Sequence, residues 1–390
     1  MSDNVTPIFK EEEEQPKKKR SLKKKWTIFI LIVVLILVIL IWFLFSNSTA
    51  LDGIKRFFRY LGVDEEDYGS VRFDSYGNCS YAIVDDAFAV SSQSGLTLFS
   101  EGGSELSALS GSLSNPMLNS AEDYLLLYDV GGTRLALLNS EGETLFDHTV
   151  SGTIFDADVC EDGLCAVIYE GNDCFAVLDV YNEKGTKLYT HRSQSAFLNT
   201  CAISDDGDYV VVTTLGQDDL SFHSTARIFA TDKDTTKAQF SFGTQVICDI
   251  AFLENETICA IGEDTVFFFD TEGNLLREHR EEDSQLAGYC FASDKILALY
   301  DHYDLNLGYQ LCCLDTDGAV TASLDLSAAP LYMSIHDHYI CLTDSQSILV
   351  YDAELKLRHS TENTAYTAAL ARGDGTAVCI GDGFAELYIP

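Results

Sequence analysis

The sequence predicts an all-β chain, an eight-bladed β-propeller, on three observations. From about Ser70 onward, short runs of β-branched and aromatic residues alternate with Asp, Gly and Asn turns, and helical stripes are scarce. One kind of turn follows an apolar-x-apolar-apolar strand, as in LALLNSEG and FFFDTEG, and closes at Gly103, Gly142, Gly185, Asp234, Gly273, Gly318 and Leu355. A second kind falls midway, at Asp85, Glu122, Asp162, Asp206, Asn255, Asp294, Asp337 and Asp374. Within each family, neighbouring turns stand 37 to 49 residues apart. Two interleaved turns on one period of about 40 residues describe four strands per repeat, as in a propeller blade. Seven turns of the first kind against eight of the second mean that the chain ends inside a repeat. SVRFD at 70–74 is placed to supply the missing fourth strand and close the ring without an open edge. Seven blades is the alternative, if the weakly patterned first repeat is something else.

Ahead of the propeller the chain divides into three parts. Residues 1–25 hold an acidic run (Glu11 to Glu14) and a basic cluster ending in Lys23, Lys24 and Lys25, and read as a disordered tail. Residues 26–46 contain the apolar run TIFILIVVLILVILIWFLF, long enough at about 1.5 Å per residue to cross most of a hydrocarbon core. Trp26 and Trp42 stand near its two ends, where such rings prefer the headgroup level. The basic cluster on its N-terminal side predicts a cytosolic N-terminus and an extracytoplasmic C-terminal domain on the cell membrane. Cleavage near Ser48–Thr49–Ala50 is the rival reading, and the length of the run argues for a retained anchor. Residues 47–69 interleave Leu51, Ile54, Phe57, Phe58 and Leu61 with Lys55, Arg56 and Arg59, which suits an interfacial helix or a simple stalk.

Charge narrows the function classes. Of 25 basic and 61 acidic residues, 17 and 56 lie beyond the apolar run, a formal charge of −39. Such a surface repels phosphate backbones, so nucleic acid is excluded as a partner.

The strand-plus-Asp-x-x-Gly pattern of FFFDTEG and LCCLDTDG resembles the repeats of WD40-like and quinoprotein-like propellers. The order of basic tail, single span and acidic exported propeller resembles an uncharacterised family of Gram-positive anaerobes. That resemblance implies a fold and a location but no activity. The chain departs from quinoproteins in having its only two tryptophans at the apolar run, so no quinone is expected, and no other cofactor.

All twelve cysteines follow the apolar run. In the strand after the second kind of turn, cysteine alternates with Ala and Val at the fourth residue (Val167, Val211, Ala260, Ala298, Cys341, Cys379), as a small buried residue would. Cys201, Cys248 and Cys290 are assigned to innermost strands, and Cys312 and Cys313 to opposite faces of one strand. Mostly free, buried thiols are expected. Cys160 and Cys165 bracket a four-residue hairpin and are the pair best placed for a disulfide. No metal is assigned: His336, Asp337 and His338 lie at a turn, and Asp315, Asp317, Asp232 and Asp234 occupy the repeated turn positions. No nucleophile elbow or phosphate loop is present, so an enzyme is less favoured than a binding protein.

Two enlarged connections interrupt the repeat, LGQDDLSFHST at 215–225 and DHYDLNLGY at 301–309. Each joins the second and third strands of a blade, and equivalent connections emerge on one face. Asp218, Asp219, His223, Asp301, His302, Tyr303 and Asp304 combine charge with aromatic surface and are the expected partner-binding residues. The function expected is a membrane-anchored binding or scaffold module for a protein or cell-envelope partner. The alternative is a hydrolase or lyase acting on envelope glycans.

Overall fold

The computed structural model describes Trp26, residues 29–35, 56, 59 and 60, and residues 70–390 except 219–220, 232–235, 305–306 and 364. Residues 29–35 are helical and exposed. Among the described residues no helix is long and apolar enough to cross a membrane. The basic cluster with Lys23, Lys24 and Lys25, most of the apolar run including Trp42, and Asp219, Asp232 and Asp234 lie outside them.

The propeller has eight four-stranded antiparallel sheets. Seven are continuous in sequence: blade 1 (80–110), blade 2 (116–149), blade 3 (154–193), blade 4 (197–241), blade 5 (249–279), blade 6 (284–326) and blade 7 (332–362). Blade 8 takes three strands from the C-terminus, Ala368–Ala371, Ala377–Gly381 and Phe384–Tyr388, and its outermost strand from Val71–Arg72. Val71 pairs with Ala385 and Arg72 with Phe384, and the Phe73 N–H donates to the Gly383 carbonyl at 3.1 Å. The ring therefore closes through both ends of the described propeller, with eight blades and not seven.

The turn residues are where the period put them. Asp85, Glu122, Asn255, Asp337 and Leu355 have positive φ, as do Gly103, Gly142, Gly185, Gly273 and Gly318. After Asp162, Asp206 and Asp374 the left-handed position passes to the following glycine. Asp270 and Asp315 each accept two backbone N–H bonds across their own turn, which holds the loop in shape.

Each seam between blades holds one buried apolar cluster, eight in all among the described residues. Second and third strands are buried on both sides, because each blade is packed between two others. This is why LLLY, AVIY and VFFF read as continuous apolar runs. Val167, Val211, Ala260, Ala298, Cys341 and Cys379 are all buried, as their shared position predicts.

All twelve cysteines are free thiols, eight of them buried. The proposed partnership of Cys160 and Cys165 is corrected by the register. Cys165 stands opposite Val159, so the two cysteines fall on different sides of the sheet. Cys160 packs between blades 3 and 4, and Cys165 between blades 2 and 3. Cys248 is exposed and precedes its strand instead of lying in it.

Candidate functional site

Blade-to-blade connections and second-to-third connections emerge on one face of the ring; the two repeated turn families line the other. The first enlarged connection, 215–225, is not an irregular loop. Its strands Tyr209–Asp218 and Ser221–Ala230 continue pairing as far as Asp218 opposite Ser221, so the insertion is a longer hairpin. Unbroken β-propensity through Thr213, Thr214 and Leu215 and then Phe222, His223 and Thr225 carries the ladder outward. His223 is half-buried over Gly216, where an added Cβ would stand 2.4 Å from Nε2, so glycine makes room for the ring.

In the second insertion, Asp301 and His302 complete the strand Lys295–His302, and Tyr303 and Asp304 begin the loop proper. The Tyr303 N–H donates to the Asp283 carbonyl at 3.0 Å, tying the loop to the connection from blade 5. The two insertions share a face but belong to blades 4 and 6, with blade 5 between them.

The exposed aromatic residues of the described propeller are Tyr76, Phe175, Phe197, Phe222 and Tyr303, from 42 % exposed at Phe175 to 70 % at Tyr76. Every one lies in, or beside, a connection on this same face. Phe175 and Phe197 meet edge to face at 5.0 Å beside the long hairpin, and Leu307 and Leu331 add exposed aliphatic surface. The sequence reading missed Tyr76, Phe175 and Phe197; Phe197 opens the strand Phe197–Ile203, and Phe175 immediately precedes the strand Ala176–Tyr181.

At the axis the innermost strands carry three aspartates that were not anticipated. Asp156 and Asp158 lie on Ile154–Val159 and Asp249 on Asp249–Phe252, and each is partly buried. Burial raises all three, Asp158 and Asp249 to about 7, and the Asp156 charge adds to the rise at Asp249. They link strands around the axis. Asn119 Nδ2 donates to Asp158 at 2.6 Å, the Ile203 N–H to Asp158 at 2.9 Å, Thr200 Oγ1 to Asp156 at 2.7 Å, and the Tyr289 hydroxyl to Asp249 at 3.0 Å. These bonds span blades 2 to 6. The residual signal in the sequence was the pair of carboxylates in the strand IFDADV, costly there unless hydrogen-bonded.

On the opposite face, Arg372 is nearly fully buried at the seam of blades 8 and 1, contacting Asp86 at 2.6 Å and Glu101 at 3.3 Å. Arg59 and Tyr60 dock there. Arg59 pairs with Asp86, Glu101 and Asp374, and the Tyr60 hydroxyl donates to Glu101 at 3.0 Å and Asp374 at 3.2 Å. Burial works to raise the Asp374 carboxyl, but bonds from Thr376 and the Arg372 charge hold it below the ordinary range.

At the seam of blades 5 and 6, His279, Glu281 and Cys312 bring three ligand-type atoms within 4.8 Å of one another.

The crystal structure of the C-terminal WD40 domain of Sif2 is similar with a TM-score of 0.58 at 12 % identity, covering 83 % of this chain and 98 % of that one. That of BamB from Moraxella catarrhalis gives 0.52 at 12 % identity, covering 82 % and 98 %. At such identity the likeness is one of fold alone. No curated protein matches the chain. A family model described as a family of unknown function, DUF5711, matches residues 66–382, and the chain belongs to that family.

Proposed function

We propose that this chain is a single-span, membrane-anchored propeller whose extracytoplasmic ring binds a protein or cell-envelope partner through the aromatic face. The observation that carries the reading is the sorting of exposed aromatics: all five among the described propeller residues share the face that bears both insertions. Exposed Tyr and Phe at polar connections are the composition of binding patches. Arg59 and Tyr60 occupy the opposite face. The apolar run 27–45 and its basic flank support the anchor and its orientation. The test is protease added to intact cells or spheroplasts: the propeller should be digested, and its full protection would contradict the topology.

A second reading, a glycan-acting hydrolase or lyase, is favoured by Asp158 and Asp249, since carboxyls raised to about 7 suit proton transfer. Their hydrogen bonds to neighbouring inner strands support a structural role instead. Turnover of an envelope glycan by the purified protein, abolished in Asp158→Asn or Asp249→Asn, would favour the enzyme.

A further inference from the structure

Three side chains from separate elements converge where blades 5 and 6 meet. His279 ends the strand Leu275–His279, Glu281 lies in the following connection, and Cys312 sits in the strand Tyr309–Asp315. Glu281 Oε1 is 3.5 Å from His279 Nε2 and 3.8 Å from Cys312 Sγ. Ligand atoms around a tetrahedral zinc ion, with bonds of about 2.0–2.3 Å, stand roughly 3.3–3.8 Å apart. The two contacts of Glu281 fall in that range, and all three ligand atoms lie within 4.8 Å of one another.

A second observation points to the same place. The buried His279 Nε2 and Tyr300 hydroxyl have no hydrogen-bond partner among the described residues. Tyr300 is wholly buried, its ring lies edge-on to His279 at 5.6 Å, and after burial the nearness of Cys312 and Glu281 raises its hydroxyl further. Two orphaned polar atoms beside one carboxylate and one thiol mark a place built for something more, because each costs about 1–3 kcal/mol when left unmade.

We propose that His279, Glu281 and Cys312 form a three-ligand site for a tetrahedral divalent transition metal, zinc foremost, with the fourth position open beside Tyr300. One nitrogen, one oxygen and one sulfur ligand suit zinc and disfavour calcium or magnesium. Zinc binds thiolate and not thiol, so the metal must displace the Cys312 proton. The S–H bond breaks, the zinc–thiolate bond forms, and one proton leaves to solvent. The Glu281 side chain is 29 % exposed, which gives an aqueous ion a way in. Because Asp283 in the same connection accepts the Tyr303 N–H, the metal also braces the base of the 301–309 loop.

The test uses the full-length protein in detergent, stripped by chelator under reducing conditions and titrated with Co²⁺ by absorption and with Zn²⁺ by calorimetry. The expected result is one tight equivalent, a thiolate-to-cobalt charge-transfer band, and proton release on binding. Cys312→Ser should abolish the band and weaken zinc at least ~100-fold, and Tyr300→Phe should keep the band and weaken zinc ~10-fold. Cys290→Ser and Cys341→Ser are controls that keep both. Should Cys312→Ser not fold, Glu281→Gln, at a partly exposed position, gives the same reading through zinc affinity. A band that survives Cys312→Ser, zinc affinity unchanged in Glu281→Gln, or only weak scattered binding to the acidic surface overturns the proposal.

Discussion

The two faces of the ring are built on one period but spend their residues differently. The turn face is made of short Asx and Gly turns, most satisfied within themselves, and a deep charge cluster there pairs acids with Arg372 and Arg59. The connection face carries both insertions and all five exposed aromatics of the described propeller. The turns close each blade locally, so selection on them is conformational. The connections are free of that duty and can differ from blade to blade. Between the faces, the axial aspartates form a third environment, acids with hydrogen bonds but no cation close by.

The largest expected effect is on the turn face. Arg372→Ala should destabilise the protein by about 2–3 kcal/mol, because it removes the buried partner of Asp86 and Glu101 at the ring closure, which Arg59 covers only in part. Denaturant midpoints measure this; a loss under about 1 kcal/mol would reduce the cluster to a surface pair.

The next effect separates the axial acids from the paired ones. Asp158 and Asp249 have folded values raised to about 7, so the folded state holds protons that the unfolded state has lost between pH 4 and 7. Their stability contribution is complete below about pH 4 and is lost as pH rises through 7. Asp374, held low, behaves oppositely: its contribution is present above its ordinary value and lost as pH falls below it. Asp158→Asn should therefore flatten the decline between pH 4 and 7 by on the order of 2 kcal/mol, while Arg372→Ala leaves that slope in place. Thermal melts across the window check it, and equal slopes in wild type and Asp158→Asn would refute the assignment.

The smallest effect belongs to the connection face. Phe222→Ala and Tyr303→Ala remove exposed rings, so stability should change by under about 0.5 kcal/mol. A larger loss would mean these rings support the fold and are not free for a partner.

The blades were legible because propeller turns repeat chemically: Asp85, Glu122, Asn255 and Asp337 advertise left-handed φ in a fixed period. Closure by Val71 and Arg72 was legible as a count, one turn family exceeding the other. What failed was register and convergence. Cys160 and Cys165 straddle a turn symmetrically in sequence, yet a one-residue offset sends them to different seams. The 215–225 insertion carries loop-type residues at its tip but strand-type residues along its arms. The axial aspartates and the His279–Glu281–Cys312 cluster join residues from different blades, and no local pattern announces such meetings. Of the expected binding residues, Tyr303 and Asp304 are exposed on the connection face and His223 is half-buried.

The claim that the connection face is the working face is tested most directly by photo-crosslinking in living cells. A photoreactive residue is placed in turn at Phe222 and Tyr303 on that face, and at Glu122 and His338 on the turn face, all exposed. The account predicts specific macromolecular adducts at Phe222 or Tyr303 and only background at Glu122 and His338. Adducts confined to the turn face, or equal at all four positions, would contradict it.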